Sequence, residues 1–481
     1  MLTTTRQAIG LFPGYACQPV TGGALIGASL LDGSPFRFTA VDCDQEILPS
    51  TGVALLGVLG NGKSTNTKIM ALRDLARQGR RYAVLDAKGE NGVGEWDSIA
   101  TALDVTPVRF GDGVCMNPLD ERIPPLHRVQ LVAALAELGG QQPLSSGARM
   151  ALDAAIDTPE AVTLSGLMNA VTSLPHDAIP GRFTAEQLLA FGQEVVQALS
   201  PFVRSATRGM LDGPTTVSLD ERLTVFDFSR IDRTSVALPA LMSVVGVFLE
   251  SVWLAQGGAA HGLHSTLIVE EAWQILKHPA TAALLQRMMK YSRREGLSVI
   301  SVAHSPKDAK SEEAKDLLRL ASTRVFHQMD AEDAALCGSM FSLPAWAVEQ
   351  IPLLGRGQAI WQTGRHVHLV QTLVTDFEKK HCFTSQRRDA AQGHTPEPES
   401  VDEPTGEWSW AMPPNVIDTR HDEALQAARE GRLSEAADLA ALGERQDINA
   451  YGINSQQVAR WRQTRAELVH LSKRPATAAG R

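Results

Sequence analysis

The chain has 481 residues, 44% hydrophobic and 21% charged, enough apolar material for a large packed core, and this excludes an intrinsically disordered protein. A net charge of −9 excludes a surface that is an electrostatic trap for nucleic acid all over, while leaving room for a local basic stripe. Five widely spaced cysteines (Cys17, Cys43, Cys115, Cys337, Cys382) show no C-x-x-C and no disulfide framework, and so fit a reducing cytoplasm. The start, MLTTTRQAIGLFPGYACQ, lacks the regions of a secretory signal, and no stretch approaches eighteen uninterrupted apolar residues. Direct membrane insertion is not expected; membrane contact would pass through partners.

Residues 1–50 are rich in Gly and short apolar runs such as 24–31, and read as a β-rich lead-in to the first well-defined strand, 53–58. A helix is expected over 63–77, then short apolar strands at 82–86, 107–110, 223–228, 266–269 and 298–303, mostly separated by helical segments. That alternation predicts an α/β domain with a mostly parallel sheet covered on both faces, built from 51–123 and 214–385. Between them, 124–213 loses the strand signal, and segments such as 129–138 and 185–199 carry helix-period apolar positions, predicting a helical insertion. Two alternating runs in 359–374 flank Thr363-Gly364 and predict a β-hairpin. Residues 386–415 are dense in Pro, Glu and Gly and read as a linker, with Trp408 and Trp410 either a docking peptide or packed back on the parent domain. The remainder, 416–481, reads as a helical tail in which Arg460, Arg462 and Arg465 form a solvated face.

GVLGNGKS at 57–64 matches G-x-x-x-x-G-K-[ST] and lies between an apolar strand and a helix, the setting its chemistry requires. Gly57, Gly60, Asn61 and Gly62 let the backbone curl so that N–H groups face phosphates. The helix start adds its dipole, Lys63 reaches the β and γ phosphates, and Ser64, followed by Thr65, can hold Mg²⁺. The expected ligands are therefore ATP and Mg²⁺.

Hydrolysis needs acids at the end of a second strand, and STLIVEEAW at 265–273 supplies two. Glu271 would polarise the attacking water, and Glu270 stands on the metal side, where Asp is usual. Asp227, in LTVFDFS, is the rival metal-side acid. SVISVAHS places His304 and Ser305 after an apolar run, where a group sensing the γ-phosphate belongs, and Arg293 and Arg294 could act as arginine fingers on a neighbouring subunit's nucleotide. Each also has an ordinary reading as a structural histidine or as helix-end arginines favouring the dipole.

Taken in order, GVLGNGKST at 57–65, AVLDAKGE at 83–90, MNPLD at 116–120, DGPTTVSLDERLTVFDFSRI at 212–231, LIVEEAW at 267–273, SVAHSPKD at 301–308 and LLGRGQAIWQTG at 353–364 resemble the conjugation and type IV secretion ATPases. These form the TraC-like or VirB-four branch of the HerA–FtsK superfamily, and the resemblance spans roughly residues 30–385. It implies a RecA-like P-loop core and a cytoplasmic motor, hexameric when working, that powers assembly or substrate transfer beside membrane-associated secretion proteins. It also implies MgATP on Lys63 and Ser64, Glu271 as catalytic acid, His304 where glutamine is commoner, and Asp86, Lys88 and Glu90 beside the nucleotide. Relatives usually carry a sizeable domain before the ATPase, so a membrane-meeting role would fall to another polypeptide or to the tail. A DNA-translocating motor of the coupling-protein or HerA type, with DNA as partner, and an ATP-binding scaffold with little turnover are the alternative readings.

Overall fold

The computed structural model describes residues 22–383 except 42–47, 59, 78, 90–91, 176, 180, 182, 206, 220–221, 257–262, 292–294 and 309–311. It further describes 420–441 except 431, 434–435 and 438, and 460–468 except 466. Expectations for residues 1–21, Glu90, Arg293, Arg294 and the linker 386–415 with its tryptophans lie outside the described residues. The chain divides into two compact units, Met1–Thr395 and Pro396–Arg481.

One 11-stranded sheet organises the first unit. In chain order its strands are β1 (Ala24–Ser29), β2 (Pro35–Phe38), β3 (Val53–Leu56), β4 (Arg80–Asp86), β5 (Val108–Arg109) and β6 (Leu223–Asp227). They continue with β7 (His264–Val269), β8 (Leu297–Val302), β9 (Thr323–Phe326), β10 (Gln358–Thr363) and β11 (His366–Thr372). The spatial order is β2-β1-β11-β10-β9-β3-β8-β7-β4-β6-β5. From β9 to β5 all pairs are parallel, while β10, β11, β1 and β2 extend the sheet antiparallel. The lead-in strands are thus part of the sheet, joined to it through the terminal hairpin, and β9 is a strand the apolar pattern did not single out. In the hairpin, Thr363 pairs with His366, so the two-residue loop is Gly364-Arg365, and Gly364 at φ 59° supplies the left-handed first position of a type II′ turn.

Period-2 alternation divides the parallel strands between two cores. Ala54, Leu56, Ala83, Leu85, Leu267, Val269 and Val299 face one cluster; Val53, Leu55, Tyr82, Val84, Ile268, Ile300 and Val302 face the other. With both faces covered, strands such as VALL of β3 are buried at every position, which is why they read as continuous apolar runs. Each fully buried side chain of this kind contributes roughly 1.5–3 kcal/mol.

Helices α1 (Lys63–Leu75) and α2 (Asp97–Ala102) cover the second face. On the first face lie α3 (Pro125–Gly140), α4 (Ser146–Ile156), α5 (Leu164–Thr172), α6 (Ala185–Arg204) and α7 (Ala237–Ala255), which share a core with the sheet. By length and composition α7 could cross a membrane, with a mean hydropathy of 1.8, but 89% of that window is buried, as in a core helix between a sheet and helices. In the second unit, α14 (Arg420–Arg429) packs alanines against Trp461, whose ring stacks 3.7 Å from His421, while Arg460, Arg462 and Arg465 are exposed. Between α7 and α14 lie the helices α8 (Trp273–Leu276), α9 (Pro279–Tyr291), α10 (Glu312–Leu320), α11 (Ala331–Phe341), α12 (Ala345–Gln350) and α13 (Asp376–Cys382).

Candidate functional site

The strand order puts the glycine loop at the centre of the sheet's carboxyl edge, where ligand crevices of open α/β sheets form. Gly57, Gly60 and Gly62 take φ of 147°, 85° and 89°, conformations that L side chains rarely adopt. Gly57 has a second constraint, since a Cβ there would lie 2.7 Å from the His327 Cβ. Gly62, in the left-handed region, is the N-cap of α1 and offers no side-chain cap, and no acidic residue occupies the first turn. The helix start is left electropositive and uncapped, suited to an anion.

Buried Lys63 turns its Nζ back into the loop, donating to the carbonyls of Gly57 and Val58, the latter at 2.9 Å. Half-buried Thr65 follows Ser64 in the first turn of α1. From beneath, His327 at the end of β9 holds the loop: Nδ1 donates to the Asn61 carbonyl at 2.9 Å, and Nε2 accepts from Asn66 Nδ2 at 3.4 Å. Both bonds together require the neutral ring with its proton on Nδ1. Burial and the Lys63 ammonium push its pKa down to about 3, consistent with that state.

Two strands from β3, with β8 between, β7 ends in Glu270 and Glu271. Glu270 is fully buried; its Oε2 lies 3.4 Å from Ser64 Oγ, and among the described residues its Oε1 has no hydrogen-bond partner. Burial raises its pKa, Lys88 opposes that rise and Glu95 adds to it. Glu271 turns the chain out of β7 at φ 55°, a backbone state costing about 1–3 kcal/mol in a non-glycine residue and typical of positions whose direction is functional. Its Oε2 accepts from Trp273 Nε1 and from His304 Nε2, the latter at 2.9 Å. Burial pushes this carboxyl up, but the bonds from His304 and Trp273 outweigh it and hold it below the usual carboxylate range. His304 also receives the Gly57 N–H on its own carbonyl at 3.2 Å, so one residue at the end of β8 touches both the loop and the acid.

The structure therefore brings Lys63, Ser64, Glu270, Glu271 and His304 together. Asp227 is not with them: it ends β6, two strands beyond β7, and is bound by Arg109 Nε at 3.2 Å and the Ser229 N–H at 2.8 Å. Under the site lies a buried charged layer in which Asp86 was expected from the resemblance, while Lys68 and Glu95 were not singled out. Lys68, on α1, pairs with Glu95 at 3.5 Å, and Asp86 accepts the Trp96 N–H at 2.8 Å. Burial, with Glu95 and Glu270 alongside, raises the Asp86 carboxyl to about 7. Arg233 donates to the carbonyls of Lys88 and Gly89 at 2.6 and 2.5 Å, fixing the turn that carries Lys88. Buried Lys68 and Glu95 could have been suspected only from their positions beside a motif, since neither lies in one.

Ser64 Oγ and the orphaned Glu270 Oε1 suit a divalent cation. Among the described residues no group of three His, Cys, Asp or Glu converges on a metal position. Mg²⁺ takes one or two protein groups and completes its shell with water and substrate phosphates.

A parallel α/β sheet with a glycine loop feeding a central helix, and an acid-tipped strand two places away, is the fold of the P-loop NTPases. Among solved structures, the chain is similar to VirB4 of Thermoanaerobacter pseudethanolicus, with a TM-score of 0.63 and 18% identity over 75% of this chain and 100% of that one. It is also similar to the plasmid coupling protein TrwB in complex with the ATP analogue ADPNP, with a TM-score of 0.50 and 15% identity over 74% and 91% of the two chains. TrwB in complex with ADP and Mg²⁺ gives a TM-score of 0.50 and 15% identity over 76% and 93%. No protein-family model matches the sequence, and no curated protein matches it.

Proposed function

We propose that this chain is an ATP-hydrolysing motor of a conjugation or type IV secretion apparatus, powering assembly or substrate transfer. The observation that carries the reading is the convergence of Ser64, Glu270, Glu271 and His304 at one end of the sheet, from segments up to 240 residues apart, beside the uncapped start of α1. In this reading the loop amides and Lys63 bind the β and γ phosphates, and Ser64 and Glu270 hold the cation. Bound Mg²⁺ would neutralise phosphate charge. Glu271, ionised and fixed through Oε2, presents its other oxygen to the attacking water, and His304 couples that carboxylate to the loop. The motor works as a hexamer on the cytoplasmic side, peripheral to the membrane through partner proteins.

The test is ATP turnover at saturating Mg²⁺, with and without DNA. Lys63→Ala should abolish nucleotide binding, whereas Glu271→Gln should keep binding and lose turnover; full hydrolysis by the Glu271 variant would sink the assignment. DNA-stimulated turnover with steep salt dependence would move the reading to a DNA translocase. Binding with negligible turnover in the unaltered chain would leave a nucleotide-ordered scaffold.

A further inference from the structure

From the β4 side, the Lys88 ammonium reaches Ser64, one of the proposed metal-holding groups. Its Nζ donates to Ser64 Oγ at 2.9 Å and lies 3.9 Å from Glu95 Oε1, and its charge acts on both Glu270 and Glu271. Ser64 Oγ thus stands between an ammonium at 2.9 Å and the Glu270 carboxylate at 3.4 Å. The backbone beneath cannot follow a moving side chain. Arg233 holds the Lys88 and Gly89 carbonyls, the Lys88 N–H donates to Asp86 Oδ1 at 3.3 Å, and Gly89 is packed so tightly that a Cβ would meet the Val93 carbonyl oxygen at 2.5 Å. Only the four-carbon stem is left to swing.

We propose that Lys88 is an exchangeable internal cation: its ammonium holds the Ser64 hydroxyl beside the β7 acids, excludes divalent metal from that oxygen, and gives it up when nucleotide and metal enter together. This rests on the reading of Ser64 and Glu270 as metal-holding groups. An ammonium and a divalent ion cannot share one hydroxyl oxygen at contact distance without strong repulsion. On leaving, Lys88 has Glu95 on one side and the phosphates on the other, so the same side chain that bars free metal becomes a phosphate contact. The consequence is ordered loading, with metal admitted as its nucleotide complex.

The experiment measures Mn²⁺ binding to the nucleotide-free full chain by loss of its free paramagnetic signal. Lys88→Met should bind Mn²⁺ more than about tenfold more tightly than the unaltered chain. Lys88→Arg, which keeps the charge, should bind as weakly as the unaltered chain. Lys88→Gln provides a second neutral variant should the methionine form melt early. Equal Mn²⁺ affinity in the neutral variants and the unaltered chain, or tight binding by Lys88→Arg, would overturn the proposal. Glu270→Gln added to Lys88→Met should abolish the gain, and its persistence would overturn the proposal too. Binding of a fluorescent ATP analogue with Mg²⁺, measured separately on the unaltered chain, tests the functional reading, so either can fail while the other stands.

Discussion

His304 and Glu271 lie 33 residues apart in the chain and 2.9 Å apart in space, the imidazole Nε2–H donating to the carboxylate Oε2. Because an ionised carboxylate only accepts, the proton of this bond sits on Nε2, and among the described residues the buried Nδ1 has no hydrogen-bond partner. A glutamine at the same place could supply the donor with its amide.

Removing that donor should expose the burial term. In His304→Ala the Glu271 carboxyl keeps its desolvation, which raises its pKa, and loses the largest opposing bond. The acid limb of the turnover–pH profile should therefore move to higher pH, while His304→Gln should keep it near its original position. A limb unmoved in the alanine variant would show that the hydrogen bond does not set the acidity of Glu271.

Gly57→Ala should prevent nucleotide binding without unfolding the chain, because φ 147° and the 2.7 Å approach to His327 Cβ act together, at a cost of about 1–3 kcal/mol localised in the loop. Adding His327→Ala should not rescue it, since the obstructing atom is the Cβ that alanine retains. Gly60→Ala, which meets nothing within 4 Å but has φ 85°, should be the milder lesion. Nucleotide titration with circular dichroism as the folding control checks all three.

Arg73 on α1 holds Glu378 on α13 bidentately, at 2.7 Å on each oxygen, and also bonds the Leu373 and Ile26 carbonyls. Glu378 is buried and caps its own helix through Thr375. Arg73→Met should cost about 3 kcal/mol in denaturant unfolding, since it leaves a buried carboxylate without its partner. Arg73→Met with Glu378→Gln should cost less than the single change.

Two buried groups oppose each other in acid. His327, with its folded pKa near 3 against about 6.5 unfolded, binds its proton more readily in the unfolded chain, so its contribution to stability falls as pH drops from about 6.5 to 3. Asp86, raised to about 7, holds its proton more tightly in the folded chain, so its contribution is complete at low pH and is lost as pH rises from about 4 to 7. Asp86→Asn should remove its share of that decline and make the slope of stability against pH more positive between about 4 and 7, read from urea midpoints across the range. An unchanged slope would show that Asp86 titrates as it does in water.

The loop, the β7 acids and His304 were legible because each follows an apolar strand and belongs to a short motif, so local order alone placed them on one edge. Strand β9 was not: TRVF is four residues long and carries Arg324, too short for a periodic signal. His327, Lys68, Glu95 and Arg233 were illegible for a different reason, since each acts by a contact between distant segments that no window of sequence contains. Residues 24–38 read as strands, but their pairing with β11 depends on the register Gly27 with Thr372, which local pattern does not fix.

The supports of the glycine loop also set when it can form. Of the parallel strands β3 leaves the ribosome first, yet its two neighbours, β8 and β9, are the last of them to be made. Glu270 follows Ser64 by 206 residues, His327 follows Asn66 and Asn61 by 261 and 266, and Arg73 waits 305 residues for Glu378. Contacts of such separation make assembly slow, because loop closure must precede any gain from pairing. A nascent chain stalled before residue 327 has the whole loop but not its seat, so nucleotide can assist folding only after His327 has been made.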